Sequence, residues 1–287
     1  MFNLFKRREL KTIDKNSTDT LLENFSSLGV TNDENGIVVS FTTFPQRIEE
    51  VKYTVYSLLN QTYKPAKVIL WLTHEEFPNH EEDLPQSLLD LRKNGLTIGW
   101  TNNIRSYTKL VPTLKEFPNN PIVTCDDDIY YDTDWLEKLV DTYKANPEYI
   151  ICHRAHKVKL LRGKLAPYKK WKKKIKDNKP SFSNFLTGVG GVLYPPKSLH
   201  NDVLNEELFM QLAPKADDVW FWAMALLNNT KIYIVPNAIR EFAHVNPERE
   251  RGLTDELTLF SFNKKGGNDI QIQKVIEHYP EILDKLI

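Results

Sequence analysis

The stretch PIVTCDDDIYYDTDW, residues 121–135, decides how this chain is read. Ile122, Val123, Thr124 and Cys125 are small or β-branched and mostly apolar, which suits a strand buried on both faces of a mostly parallel sheet. The run ends in three consecutive carboxylates, Asp126, Asp127 and Asp128. Side chains of an extended segment alternate, so Asp126 and Asp128 share one face and Asp127 points to the other. Neighbouring carboxylates repel, and a hard divalent cation with oxygen ligands relieves the repulsion. The strand end is therefore read as a place to hold Mg²⁺ or Mn²⁺ against a diphosphate. The competing reading is an acidic surface turn, with Asp132 and Asp134 close behind.

Upstream, residues 36–43 read as a first strand that Pro45 stops, residues 48–59 as a helix with Val51, Val55, Leu58 and Leu59 at helical spacing, and residues 67–72 as the next strand. This order opens a parallel α/β unit. A helix over 84–91, a strand over 96–100 and a short helix over 109–116, with Pro112 near its start, follow. Downstream, a helix from residue 133 or 134 to 143 and a strand over 149–153 complete an open sheet, and ligands of such sheets bind outside the C-terminal strand ends. Residues 1–35 read as a leader with a short helix over 18–28.

The second half is less regular. Residues 154–179 hold twelve Lys or Arg against one Asp, although the whole chain of 287 residues balances 38 basic against 38 acidic side chains. This run reads as a solvated loop with short helices, or as a segment that attracts phosphate from a ligand or from an anionic membrane surface. No nucleic-acid reader motif accompanies it, so nucleic acid is not the expected partner. Three glycines, Gly188, Gly190 and Gly191, precede a short apolar strand, with neither the spacing nor the context of a dinucleotide fingerprint. Further on come a helix over 204–212, then Asp217 and Asp218 at the head of a helix running to residue 227. Carboxylates there also cap the helix. A strand over 231–235, a segment 242–246 carrying His244, and a tail helix over 269–287 interrupted near Pro280 close the chain.

Cys125 and Cys152 are the only cysteines, which points to reduced thiols in a cytoplasmic protein. The opening MFNLFKRREL has a basic cluster with no apolar stretch after it, so no secretory signal is expected. No run of 18 apolar residues occurs, so any membrane contact is expected to be peripheral.

Four segments together, FTTFPQRI (41–48), TCDDDIYY (124–131), TGVGGVLYPP (187–196) and ADDVWFW (216–222), resemble nucleotide-sugar glycosyltransferases of the GT-A fold, more narrowly the family 2-like enzymes of bacterial surface-polysaccharide synthesis. The resemblance covers residues 36–247. It implies a single α/β domain with an open mixed, mostly parallel sheet flanked by helices, divided into a nucleotide-sugar-binding half (36–153), the basic segment (154–179), an acceptor and catalytic half (180–250) and a helical tail (251–287). The implied activity moves a sugar, from a UDP-sugar by preference, to a glycan or lipid-linked glycan, with inversion.

By the same resemblance Asp126 and Asp128 match the DxD motif, the last carboxylate binding the Mn²⁺ or Mg²⁺ that bridges the diphosphate, with Asp127 between them. Asp218 matches the base that deprotonates the acceptor hydroxyl, and Asp217 holds the acidic position before it. His244 matches a further metal ligand. Thr43, Arg47 and Lys109 lie where the nucleotide and its phosphates bind, and Gly190 and Gly191 where a sugar passes close to the backbone. Trp220 and Trp222 read as a sugar platform or as core. The acidic residue that many such enzymes place after the second strand for base recognition is not evident, since Thr73 and His74 stand there. A nucleotidyltransferase and a calcium-dependent carbohydrate-binding protein remain the alternatives.

Overall fold

The computed structural model describes residues 10–177, 179–250 and 266–287; the first nine residues of the expected leader, residue 178 of the basic run and residues 251–265 of the expected tail lie outside them. The chain enters through α1 (Lys15–Glu23), earlier than the pattern over 18–28 suggests. Asp14 accepts the N–H groups of Asn16 and Ser17 at 3.1 and 3.5 Å and so fixes the helix start.

The first half alternates as the apolar spacing predicts: β1 (Val38–Thr42), α2 (Val51–Leu59), β2 (Lys67–Thr73), α3 (Gln86–Leu89), β3 (Leu96–Thr101), α4 (Val111–Glu116), β4 (Ile122–Thr124), β5 (Ile129–Tyr130), α5 (Trp135–Ala145) and β6 (Ile150–Cys152). The second half supplies β7 (Ala155–Lys157), the hairpin β8 (Leu160–Leu161) and β9 (Lys164–Leu165), β10 (Asn184–Leu186), β11 (Val192–Tyr194), α6 (Glu206–Leu212), α7 (Asp217–Leu227), β12 (Ile232–Ile234), β13 (Ala243–His244), α8 (Pro247–Glu250), α9 (Asn268–His278) and α10 (Glu281–Asp284). The basic run holds short strands and turns with one short 3-10 helix, Tyr168–Lys170. Its β7 pairs with β10, a partner thirty residues away that local pattern does not reveal.

Seven strands form one sheet in the order β12-β6-β11-β4-β1-β2-β3. All the pairings are parallel except those of β11, which runs against β4 and β6. The expected open mixed, mostly parallel sheet is thus what forms. Alternation along the strands feeds two cores. Val39, Phe41, Val68, Leu70 and Val123 pack with α2 and α5 on one face, while Ile122, Ile150, Cys152 and Val192 pack with α7 and α9 on the other. Trp220 and Trp222 are wholly buried in that second core, so they are core and not a sugar platform. Cys125 and Cys152 are buried free thiols. Among the described residues no helix is long and apolar enough to cross a membrane.

Directly after β6, His153 joins the head of α5 to the segment after β12. Its Nδ1 accepts the Ile239 N–H at 3.1 Å, which leaves Nε2 to donate to the Trp135 carbonyl at 3.0 Å. Burial pushes its pKa down from 6.5 to about 4. A depressed histidine contributes stability above the unfolded value of 6.5 and loses it as pH falls toward 4. We expect His153 to account for about 2 kcal/mol of the stability lost between pH 7.5 and pH 5. Urea unfolding at both pH values should show a smaller acid loss in His153→Gln. An equal loss would place the acid sensitivity elsewhere.

A candidate active site at the ends of β1 and β4

The parallel strands β1, β2, β4 and β6 all end on one edge, and the acidic turn after β4 lies there. Thr43 and Arg47, which follow β1, close on the middle carboxylate. Thr43 Oγ1 donates to Asp127 Oδ2 at 2.6 Å, and Arg47 donates to Asp127 Oδ1 at 2.7 Å and to Asp128 Oδ2 at 2.8 Å. The Arg47 guanidinium is also held over the Phe44 ring, 4.9 Å from its centroid. Asp127, whose carbonyl accepts from Thr54 Oγ1 at 2.8 Å, is thereby the residue that fixes the turn, while its two neighbours flank it.

Lys109 reaches the same turn from a 3-10 segment, Arg105–Lys109. Two buried hydrogen bonds place that segment: Ser40 Oγ of β1 donates to the Lys109 carbonyl at 2.7 Å, and the Tyr107 hydroxyl donates to the Ala213 carbonyl at 2.7 Å, just ahead of α7. The Lys109 ammonium lies 2.7 Å from Asp126 Oδ1 and 3.5 Å from Asp217 Oδ2. Burial alone would lower its pKa, but the carboxylates of Asp126 and Asp217 outweigh that and hold it well above the ordinary value.

Asp217 and Asp218 open α7, as the sequence predicts. Asp218 Oδ1 accepts the Gly188 N–H at 3.0 Å. Burial, then the charge of Asp217, raises the Asp218 pKa well above the usual carboxylate range, with Lys109 and the Gly188 N–H opposing. Gly188 packs close to all three groups: a Cβ there would lie 3.3 Å from Asp218 Oδ1, 3.4 Å from Asp126 Oδ1 and 3.5 Å from Lys109 Nζ.

These groups line one cavity of about 1320 Å³, which also takes in Thr43, Arg47, the whole acidic triplet and His244. His244 arrives on β13, which pairs antiparallel with β5, and the next residue, Val245, donates its N–H to the Asp128 carbonyl at 2.9 Å. Of the residues expected from sequence, only Gly190 and Gly191 are absent from the lining. Trp135 Nε1 donates to the Gly190 carbonyl at 2.8 Å, and Gly191, at φ +87°, faces the Trp135 ring. The cavity-lining members of that turn are Gly188 and Val189. Sequence reasoning also missed Glu76. It lines the cavity three residues past the end of β2, accepting from Thr73 Oγ1 at 2.8 Å. The signal was the acidic pair in the turn after that strand.

Among the described residues no group of three or more His, Cys, Asp or Glu side chains forms a ready metal cage. Asp126 and Asp128 each carry an ion pair instead, with Lys109 and Arg47. Their donor chemistry still fits a cation of the Mg²⁺ kind, which is commonly held by one or two carboxylates with substrate phosphates and waters completing the shell.

No family model matches the chain. A glucosyl-dolichyl phosphate glucuronosyltransferase of Haloferax volcanii is 32% identical over 116 residues, 39% of this chain and 35% of that protein, so the chain matches about a third of that relative's length. Among solved structures, S. aureus TarS 1-349 superposes with a TM-score of 0.46 at 14% identity, over 85% of this chain and 72% of that one. A cytidylyltransferase of Leptospira borgpetersenii gives 0.43 at 13% identity, over 86% and 95%. A CMP:2-keto-3-deoxy-manno-octonic acid synthetase complexed with CTP gives 0.42 at 12%, over 80% and 98%. Structural likeness at these scores bears on neither substrate nor reaction.

Two stability measurements test the geometry. Gly191→Ala adds a Cβ 2.4 Å from Trp135 Cζ2 on a left-handed backbone and should cost about 3 kcal/mol, whereas Gly163→Ala, at φ +75° with nothing within 4 Å, should cost about 1 kcal/mol. Similar losses would contradict the packing of the glycine turn. Lys109→Met leaves a cluster of buried carboxylates without its cation and should cost about 3 kcal/mol. Adding Asp217→Asn to it should recover part of that loss in urea unfolding. Additive losses would show that Lys109 does not couple to Asp217.

Proposed function

We propose that the chain is a glycosyltransferase of the GT-A kind that moves a sugar from a nucleotide diphosphate, with UDP favoured, to a glycan or lipid-linked glycan, with a divalent cation and with inversion at the anomeric carbon. The observation that carries this reading is the meeting of the Asp126–Asp128 turn and the Asp217–Asp218 helix head across Lys109 in one cavity. The sequence relationship to a glucuronosyltransferase supports it. The cavity volume also suits it, since drug-sized ligands commonly occupy ~300–1,000 Å³ and a donor with an acceptor needs more.

Asp128 and Asp126, with His244 beside the Asp128 backbone, would hold the Mn²⁺ or Mg²⁺. When bound, that cation supplies positive charge to the departing nucleoside diphosphate. Arg47 and Lys109 present further cations to the same phosphates, each released by ligand binding from part of its present pairing. Glu76, held by Thr73, supplies the carboxylate after β2 that base recognition calls for. Asp218 takes the proton of the acceptor hydroxyl as that oxygen attacks, and the Gly188 N–H keeps its carboxylate oriented. One displacement with one base inverts the anomeric centre. The turn after β1 is a Pro45–Arg47 3-10 segment without glycines, which suits a glycosyltransferase better than a nucleotidyltransferase with a glycine-rich basic loop there.

Thermal stabilisation by UDP, GDP, CDP and ADP, each with and without Mn²⁺, tests the reading. One nucleotide should raise the melting temperature in a manner that needs Mn²⁺ and is lost in Asp128→Ala. Asp218→Asn should keep that shift and lose at least ~100-fold in turnover. A folded protein that responds to none of the nucleotides, or binds glycans with Ca²⁺ alone, would overturn it.

A further inference from the structure

One part of the basic run is raised clear of the domain. The hairpin of β8 and β9 pairs Leu160 with Leu165 and Leu161 with Lys164, and the Ala166 N–H continues the ladder by donating to the Lys159 carbonyl at 2.8 Å. Arg162 and Gly163, between the strands, both have positive φ, +52° and +75°, as in a tight two-residue turn whose twist matches its strands. The tip stands free, since a Cβ at Gly163 would meet nothing within 4 Å. The base of the hairpin is fastened. Leu165 packs against the second core, the buried Trp171 donates through Nε1 to the Ala166 carbonyl at 2.8 Å, and the Tyr168 N–H donates to Asp269 Oδ1 at 2.6 Å.

Strand register sorts the hairpin's side chains onto two faces. Leu160 and Leu165 share one face and are both half-buried. The other face carries Lys159, Leu161 and Lys164, all exposed, with Arg162 at the turn beside them. Leu161 keeps 44% of its surface exposed in the midst of these cations. Among the described residues no carboxylate pairs with Lys159, Arg162 or Lys164. An apolar side chain set among cations matches the boundary between lipid headgroups and acyl chains, where the charges meet phosphates and the leucine reaches hydrocarbon. A polyanion such as nucleic acid would satisfy the cations and leave the leucine in water. The hairpin also springs from the cavity wall: Pro167, Tyr168 and Lys169, which follow β9, line the cavity that contains Asp218.

Resting on the glycosyltransferase reading for its purpose, we infer that the hairpin face formed by Lys159, Leu161, Arg162 and Lys164 docks on an anionic membrane surface, and so brings the cavity to acceptors held in that surface. Each cation near an anionic leaflet adds to the attraction, and the leucine adds buried apolar area, so the two kinds of group contribute separately. Docking of this sort is reversible and salt-dependent, because it rests on a few charges and one apolar side chain.

Sedimentation of the full chain with vesicles tests this, using phosphatidylcholine alone and phosphatidylcholine mixed in equal parts with phosphatidylglycerol. The mixed vesicles should bind at least ~10-fold tighter, and less so as salt is raised. Arg162→Glu combined with Lys164→Glu should abolish that preference. Leu161→Ser should weaken binding by ~5-fold or more and leave its salt dependence unchanged. Lys93→Glu, exposed in the turn before β3, should change neither and serves as the charge control. Equal binding to both vesicles, no binding to either, or a preference that survives the double charge reversal overturns the inference. So does equally tight binding to heparin with no effect of Leu161→Ser, which would mark a general polyanion surface. A chain that answers UDP with Mn²⁺ but ignores the vesicles loses only this inference. One that binds the mixed vesicles through the hairpin but answers no nucleotide keeps the docking face and loses the glycosyltransferase reading.

Discussion

One ammonium group holds this site together. Lys109 stands between Asp126 at the end of β4 and Asp217 at the head of α7, and without it three carboxylates would face one another in a largely buried pocket. Burying like charges together is costly, and pairing with hydrogen-bonded cations is what makes it tolerable. The rest of the local architecture serves the position of that lysine. Ser40, a buried polar residue of β1, donates to its backbone carbonyl, and Tyr107 ties its segment to the loop before α7.

Arg47 plays the matching part on the other side of the acidic turn. By engaging both Asp127 and Asp128 it divides the labour within the triplet. Asp127 is bound also by Thr43, and all three carboxylates line the cavity. Each end of the acidic turn thus has a cation of its own, Lys109 at Asp126 and Arg47 at Asp128.

Much of the first half was legible because its strands and helices are long enough for their apolar periodicity to show. The acidic triplet was legible because three carboxylates after a buried strand are chemically conspicuous. The short strands β5, β7, β10 and β13 were not, since they exist only through distant partners. For the same reason local pattern alone did not bring His244 to Asp128, which the family resemblance implied, nor residues of the basic run to the cavity wall. Trp220 and Trp222 were ambiguous because one helical pattern serves core and ligand platform alike; burial decides for core. Glu76 was passed over because the turn after β2 carries it three residues beyond the strand, where only the bend of the backbone brings it inward.

The reversed direction of β11 has an effect on when the site comes into being. A strand running against its neighbours presents its beginning where they present their ends, so Gly188, just before β11, meets Asp126, just after β4. Pairings of this separation form slowly because the intervening chain must be closed first. During synthesis, the parallel strands β1 to β4 can be assembled while the pocket still lacks its glycine turn and Asp218. A nascent or truncated chain ending before α7 therefore carries the acidic turn without Asp217 and Asp218, and the pocket is whole only with completion of the second half.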